Sequence, residues 1–557
     1  MRILVLSLLR VGDFIMQESI IEDLRTEYPQ AELHLLINDV SEKYIRESGK
    51  YKNIHILPRA QIQRSLVESD RPKLSAYFSL QKLVKTLNEF HFDQIINFSH
   101  TMFSARIMDL LCAGEKSGMR FQESRVVRPD NLWLRFINEN FSRNLNSPFQ
   151  GIDLLRQAHS IPRHTSHKSP LSALAKKGNI QKIAIQVLTS DQKKNWPMKN
   201  FAELVALMNL NHPHLEISIL GAPNEEEIIR QTFSEKLNCK IQILNWTDLK
   251  SFLLHTDLLI TGDTSVQHLA AQVGTPLVSL FLGSANPEKT APMQADAVIL
   301  QPRTHCAPCL HSKSCFRETQ ICAEDLAVNC VSSVIDSRIL NQELPQIQSH
   351  IWQVSTNKNG IIFLKKISKG AEVTNLNRFL EQLTWQIYLD RGHLETAGPF
   401  GSASYMFIEE HSRELARPTS LAVIQTGLQN RLFEFQTHEL FIDRLETNFR
   451  KQMTPFLLNQ TEASSSAFKN LLMDEVTNHL FGKPSGKNYF FTLLETLNIE
   501  EPPFQQLKKI KECLQESRAL IEIELKLIKS ILVELNERNF IYVARTRTLF
   551  DLSSAAP

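Results

Sequence analysis

Residues 258–281 read LLITGDTSVQHLAAQVGTPLVSLF. Leu258–Thr261 is a short apolar run of strand character. Gly262-Asp263-Thr264-Ser265 is small and polar. Val266–Val273 then has helical spacing, Gly274-Thr275-Pro276 breaks it, and Leu277–Phe281 is apolar again. Two fully apolar strands joined through one helix form a parallel pair covered on both faces. The N–H groups of the helix's first turn have no partners inside the helix. With the helix dipole behind them, they make a seat for an anion such as a diphosphate.

Upstream, the same rhythm runs back to Lys182. Strands are expected at Ile183–Leu188, Leu215–Leu220 and Ile241–Leu244, with helices at Asn200–Asn209, Glu225–Leu237 and Leu249–Leu254. A second unit of this kind fills the N-terminal part. Its strands are Ile3–Leu9, Glu32–Ile37, Asn53–Leu57 and Gln94–Phe98, and its helices include Asp13–Glu27 and Leu80–Phe90. Residues 121–170 lose the rhythm, and the polar, basic stretch Ser160–Ser169 reads as a linker. The expected class is therefore α/β, with two doubly wound, Rossmann-like units facing a cleft. Ligands of such sheets bind beyond the carboxyl ends of the strands. The expected boundaries are 1–170, 171–345, a linker at 346–374, and an all-α extension of unreadable purpose at 375–557. In that extension Leu507, Leu514, Ile521, Ile528 and Leu535 recur at seven-residue spacing, and Pro502-Pro503 suits the start of their helix. Packing on its own domain explains the seam better than a dimerising coiled coil, because no flanking pattern of charge pairs accompanies it.

Composition narrows the function. The chain has 557 residues, 42% hydrophobic and 22% charged, with 62 basic against 60 acidic side chains and a formal charge of +2. These are globular values, and no global field favours nucleic acid. The apolar opening Ile3–Leu9 is too short to span a bilayer. Arg10, Gly12 and Asp13 follow where a signal peptide would need a small-residue cleavage site, so a buried strand and a cytoplasmic protein are expected.

Chemistry concentrates at four strand ends. Leu9-Arg10-Val11-Gly12-Asp13 places a flexible glycine and a carboxylate at a helix start, where an ordinary N-cap is the local alternative. Thr189-Ser190-Asp191-Gln192-Lys193-Lys194-Asn195-Trp196-Pro197 puts hydroxyls and lysines in a strand-to-helix loop suited to phosphate. Gly221-Ala222-Pro223-Asn224-Glu225 carries a carboxylate that could accept from ribose hydroxyls or simply start a helix. The fourth is the opening stretch, with His268 on the first turns of its helix.

Val11-Gly12-Asp13, Lys194-Asn195-Trp196-Pro197 and Asp263-Thr264-Ser265-Val266-Gln267-His268-Leu269-Ala270-Ala271 through Gly274-Thr275-Pro276 resemble the signature of family 9 glycosyltransferases, the ADP-heptose:lipopolysaccharide heptosyltransferases. The resemblance spans roughly residues 1–345. It implies a GT-B fold with an N-terminal acceptor domain and a C-terminal donor domain. It further implies inverting transfer of a heptose or related sugar from an ADP-sugar to lipopolysaccharide core or another envelope acceptor, at the inner face of the cytoplasmic membrane, with peripheral membrane contact. By position, Asp13 matches the general base, with Arg10 and Gly12 beside it on the acceptor side. Lys194 matches the lysine on the donor phosphates, Thr189 and Ser190 the adjacent hydroxyls, and Glu225 the ribose ligand. Asp263, Thr264, Ser265 and His268 match the loop that holds diphosphate and sugar. Ser265 stands where the family usually has glycine, and Asn245-Trp246-Thr247 departs from the usual Gly-Lys-Thr, leaving Trp246 either to stack on adenine or to pack. Two further readings stay open: glycosylation of a protein or another glycan, and a catalytically silent scaffold. Neither the acceptor nor the oligomeric state is legible.

Five of the eight cysteines lie between Cys306 and Cys330. Cys306, Cys309, Cys315 and Cys322 could form a tetrahedral thiolate site for structural zinc or iron, with reduced thiols or a disulfide as the alternative. No cofactor is expected for catalysis.

Overall fold

The computed structural model describes residues 1–67, 73–122, 125–127, 129, 131–138, 147–163, 180–233, 237–312, 314–315, 317, 319–356, 360–391, 403, 407, 418–458, 470, 472–479 and 503–553. In chain order the first sheet's elements are β1 (Arg2–Ser7), α1 (Val11–Glu27), β2 (Glu32–Asn38), α2 (Asp39–Ser48), β3 (Asn53–Leu57), α3 (Arg59–Val67), α4 (Lys73–Asn88), β4 (Phe92–Asn97), α5 (Met102–Leu110) and β5 (Ala113–Ser117). A small hairpin of β6 (Phe121–Gln122) and β7 (Arg125–Val126) follows, then α6 (Leu132–Phe136) and α7 (Gly151–Ala158). The second sheet's elements are β8 (Lys182–Gln186), α8 (Met198–Asn211), β9 (Glu216–Gly221), α9 (Glu226–Thr232), β10 (Lys240–Ile243), α10 (Trp246–Leu254), β11 (Leu258–Gly262), α11 (Ser265–Val273), β12 (Leu277–Leu280), α12 (Pro287–Thr290), β13 (Val298–Gln301), α13 (Ile321–Glu324), α14 (Val328–Ile339), β14 (His350–Thr356) and β15 (Ile362–Ile367).

The first sheet is parallel throughout, in the order β3-β2-β1-β4-β5. The second has the order β10-β9-β8-β11-β12-β13-β14-β15, parallel through β13 and antiparallel beyond. Strand order therefore reverses at β1/β4 and at β8/β11, and a ligand crevice opens at such switch points. Leu4, Leu6, Leu36 and Ile95 build one core, and Ile185, Ile217, Ile260, Val278 and Leu300 the other. These strands are apolar on both faces because helices cover both.

Two expectations about organisation change. Residues 346–374, read as a linker, contain β14 and β15, which widen the second sheet. Ile351, Trp352, Val354 and Ile362–Leu364 are buried there, and the antiparallel hairpin needs no crossover helix to reveal it. The two sheets also do not separate near residue 170. Met1–Phe141 and Phe149–Lys369 form one compact unit, with α1 packed on α11 and α2 on α10. The boundary drawn at 170/171 lies outside the described residues, as does all of the Ser160–Ser169 stretch beyond 163. Helix α7 belongs with the first sheet. Its buried Arg156 pairs with Asp23 of α1 at 2.6 Å.

The other compact unit, Ser142–Pro148 with Gly370–Pro557, contains the long helices α15 (Glu372–Arg391), α16 (Pro418–Leu458) and α17 (Pro503–Ser553). Helix α17 opens at Pro503, as expected. Its seam residues Leu514, Ile521, Ile528 and Leu535 are buried against α15 and α16; the side chain of Leu507 lies outside the described residues. Buried Glu524 accepts from Thr384 at 2.9 Å and pairs with Arg431. Among the described residues, no helix is long and apolar enough to cross a membrane.

Candidate active site

Every strand-end motif read from the sequence sits on a carboxyl end, and most of them meet. After β1 the chain turns through Leu8-Leu9-Arg10 into α1. The Arg10 amide donates to Asp13 Oδ2 at 3.1 Å, so Asp13 does cap its own helix. Its place matters more than its cap. Gly12 lies so close to the start of α11 that a Cβ there would stand 3.3 Å from His268 Cδ2 and 3.4 Å from Ser265 Cα. The two switch points thus face each other across van der Waals distance. The Asp13 carboxyl is held above the usual carboxylate range, first by burial and then, more weakly, by the neighbouring charge of Asp263. The Arg10 amide, the Arg10 charge and Lys194 oppose the rise.

On the facing side, β11 delivers Asp263 and Thr264. Lys194 Nζ donates to Asp263 Oδ2 at 2.6 Å, in a pair whose side chains are mostly buried. Thr264 is the N-cap of α11, and its Oγ1 accepts from the Gln267 amide at 3.4 Å. Gln186, at the end of β8, holds that threonine in place, because its Oε1 accepts from Thr261 at 2.8 Å and from Thr264 at 3.2 Å. His268 is buried one turn in, with Nε2 3.9 Å from Asp263 Oδ1. Burial brings its pKa down to about 4, against a weaker upward pull from Asp263, so the imidazole is neutral at pH 7. The start of α1 and the first turn of α11 are therefore in contact, and Asp13 lies close enough to Asp263 and Lys194 to feel their charges.

Three of the sequence candidates have partners within the protein. Thr189 Oγ1 donates to the Asp191 carbonyl at 2.7 Å and is engaged within its own loop, while Ser190 is exposed. Glu225 accepts from the Ala222 amide at 2.9 Å, the helix-start role given above as its local alternative. Trp246 packs edge-on against Tyr44 of α2, with centroids 5.2 Å apart.

The metal reading of the cysteines finds no support. Among the described residues, no group of three or more His, Cys, Asp or Glu side chains is arranged to hold a metal ion. Cys322 is buried in the core, Cys306 and Cys309 are half-buried, and Cys315 is exposed, all as free thiols. Burial pushes the Cys309 thiol up against the opposing charge of Lys193, with the neighbouring Cys322 and Cys306 adding slightly. Hydrogen bonds pin the segment instead. The Cys309 amide donates to the Gly283 carbonyl at 2.9 Å, and Lys193 Nζ donates to the Leu310 and His311 carbonyls at 3.3 and 2.9 Å.

Sequence reading also missed residues. Arg10 Nη2 donates to His311 Nε2 at 2.9 Å, which leaves the neutral ring's proton on Nδ1, 3.4 Å from Asp191 Oδ2 and from Ser284 Oγ. Glu18, fully buried on α1, collects Tyr44 Oη at 2.5 Å, Lys50 Nζ at 3.1 Å, Tyr51 Oη at 3.2 Å and Gln272 Nε2 of α11 at 2.7 Å. Burial, with Glu18's charge next, holds both tyrosine hydroxyls protonated by raising their pKa values. A Glu inside an otherwise helical pattern is the only local trace of this tie, and nothing nearby in sequence names its partners.

Residues 80–319 match the model of glycosyltransferase family 9 (heptosyltransferase). The chain is 24% identical over 312 residues to the lipopolysaccharide core heptosyltransferase OpsX of Haemophilus influenzae, covering 52% of this chain and 80% of that one. It is 21% identical over 285 residues to lipopolysaccharide heptosyltransferase 3 of Escherichia coli, covering 48% and 80%. Among solved structures it is similar to E. coli heptosyltransferase WaaC with ADP, at 13% identity and a TM-score of 0.42, over 60% of this chain and 99% of that one.

Proposed function

With residues 80–319 placed in glycosyltransferase family 9, the chain is a glycosyltransferase, and we propose that it transfers a heptose from ADP-heptose to lipopolysaccharide core with inversion. Heptose transfer in lipopolysaccharide core synthesis is the activity in the names of its relatives. The ADP-sugar donor and the inversion follow from the resemblance to family 9 glycosyltransferases. One observation carries the reading: Gly12, next to Asp13, lies against the first turn of α11. A base and a diphosphate seat so placed can act on one sugar between them.

In this reading Asp13 removes the proton from an acceptor hydroxyl. That oxygen bonds to the anomeric carbon as the bond to the diphosphate oxygen breaks, and negative charge gathers on the leaving group. Lys194 and the amides of Ser265 and Val266 stabilise it, and Asp263 keeps Lys194 aimed at the cleft. Removing one such donor typically costs about 2.7–4 kcal/mol of barrier. The raised pKa of Asp13 suits a base. A carboxylate that binds protons more strongly than usual accepts one more readily, provided the pH keeps it ionised. His268 offers a neutral imidazole to sugar or phosphate. The acceptor would be met at the cytoplasmic face of the inner membrane.

The test pairs a panel of nucleotide sugars with Asp13→Asn. ADP-heptose should support transfer to a lipopolysaccharide core acceptor and protect the protein in melting. Asp13→Asn should bind ADP as well as the parent and transfer at a rate at least about a hundredfold lower, the low end for losing a general base. Protection by another nucleotide sugar but not ADP-heptose removes the heptose donor. Full transfer by the asparagine variant removes Asp13 as base.

A further inference from the structure

Helix α4, KLSAYFSLQKLVKTLN, has two apolar faces, and the core needs only one. Ala76, Leu80, Leu83 and Leu87 pack onto the first sheet with Ile62 of α3. The other face carries Leu74, Tyr77, Phe78, Gln81, Lys82 and Lys85, at helical spacing and all outward. Leu74 is 64% exposed, and Tyr77 and Phe78 are each 58% exposed with their rings 5.7 Å apart. Large apolar side chains gathered in this way mark a surface that meets something.

Charge says what. Helix α4 has three lysines and no carboxylate, and α3 adds exposed Arg59 and Arg64, again with no carboxylate. Residues 59–88 hold six basic and two acidic side chains in a chain that is nearly neutral. Aromatic and aliphatic groups beside lysines whose stems reach outward suit the headgroup region of an anionic bilayer. Position agrees. Helix α3 opens two residues past the end of β3, the end of the sheet at which Asp13 stands, and Asp39 Oδ2 at the start of α2 accepts its Ala60 amide at 2.9 Å. The first turns of α4 run beside α3, joined by Ser75 to Ser65 at 2.8 Å and Gln61 to Ser79 at 3.4 Å. We infer that the outward face of α4, led by Leu74, Tyr77 and Phe78 with Lys82 and Lys85 behind them, docks the acceptor half of the cleft onto an anionic lipid surface. This deepens the proposed function by fixing where a lipid-borne acceptor arrives, yet it is read without any transfer.

The full chain is sedimented with vesicles of phosphatidylethanolamine and phosphatidylglycerol, and separately with phosphatidylcholine alone. Binding is expected to the first and to weaken with salt. Tyr77→Ser/Phe78→Ser should lower it at least tenfold with an unchanged melting profile, because both rings are already exposed. Lys82→Glu and Lys85→Glu should each lower it about fivefold or more, fivefold corresponding to the ~1 kcal/mol of one basic group at such a surface. Equal binding to phosphatidylcholine, or binding untouched by the serine pair, overturns the inference. So does a dimer that the serine pair dissolves in a protein that binds no vesicle, which would assign the face to a second copy. Vesicle binding by a protein inert toward every nucleotide sugar would keep the surface and remove the transferase reading.

Discussion

Gln272→Ala cuts the tie between the two helices to which the proposed reaction is assigned. Glu18 lies on α1 five residues beyond Asp13, and Gln272 lies on α11, whose first turn is the diphosphate seat in the proposed reaction. Their 2.7 Å bond joins the two halves. A hydrogen bond to a charged group contributes about 1.5–3 kcal/mol. The low end applies here, because Glu18 keeps Tyr44, Lys50 and Tyr51 as donors and the Gln272 carbonyl has no partner among the described residues. Stability should therefore fall by about 1.5 kcal/mol, well short of unfolding. Catalysis should fall further, since a misplacement of about 1 Å between reacting groups can cost a hundredfold. The expected pattern is kcat down tenfold to a hundredfold on that ground, an unchanged ADP Kd, and faster amide exchange in α1 and α11 even without substrate. Gln272→Lys, a donor of similar reach, should restore most of the rate. Glu18→Gln should cost more stability, up to about 3 kcal/mol, because it removes the charged acceptor shared by Tyr44, Lys50, Tyr51 and Gln272. The reasoning is refuted if Gln272→Ala keeps full kcat, if ADP binding falls in step with kcat, or if the lysine variant is as slow as the alanine one.

Two more outcomes follow from the site. Asp13 binds its proton more tightly folded than unfolded, so its contribution to stability is present below its unfolded pKa and lost as pH rises through the folded value. Asp13→Asn should therefore melt above the parent at neutral pH and level with it in strong acid. A lower melting temperature at neutral pH would contradict the burial argument. Gly283 has φ +57°, and a Cβ there would stand 2.1 Å from the Lys193 carbonyl. Gly283→Ala must displace the loop before Lys194, at a cost of at least about 1–3 kcal/mol. Titration calorimetry should show ADP affinity down tenfold or more, the equivalent of about 1.4 kcal/mol; unchanged affinity would detach that loop from the donor site.

Most of the parallel strands of the two sheets lie in apolar runs and were legible one by one. Ile3, Leu36, Ile95, Ile185, Ile260 and Val278 are buried on strands the pattern had marked. Other elements escaped. β5 is AGEKS, half-exposed at a sheet edge, and β14 is broken by polar residues, while β13 (VILQ) and β15 (IFLKKI) carry short apolar runs that went unread. Motif residues were legible because their chemistry needs a strand end, a small residue and a helix start in sequence. That logic drew attention to Asp13, Lys194, Asp263 and Thr264, of which Lys194 and Asp263 pair in the structure. It could not tell that Glu225 is engaged by its own turn, because that depends on where the side chain points.

Local order along the chain thus determined the α/β alternation, the strand-end motifs and the neutral composition that argues against a nucleic-acid partner. Periodicity and turn chemistry act over a few residues, and a sequence displays them directly. Tertiary structure alone decided that Gly12 rests on Ser265, that Glu18 reaches Gln272 and that Arg10 reaches His311. Those partners are 253, 254 and 301 positions apart. Their meeting is set by how two sheets pack, which depends on the summed burial of many side chains and leaves no mark at either position.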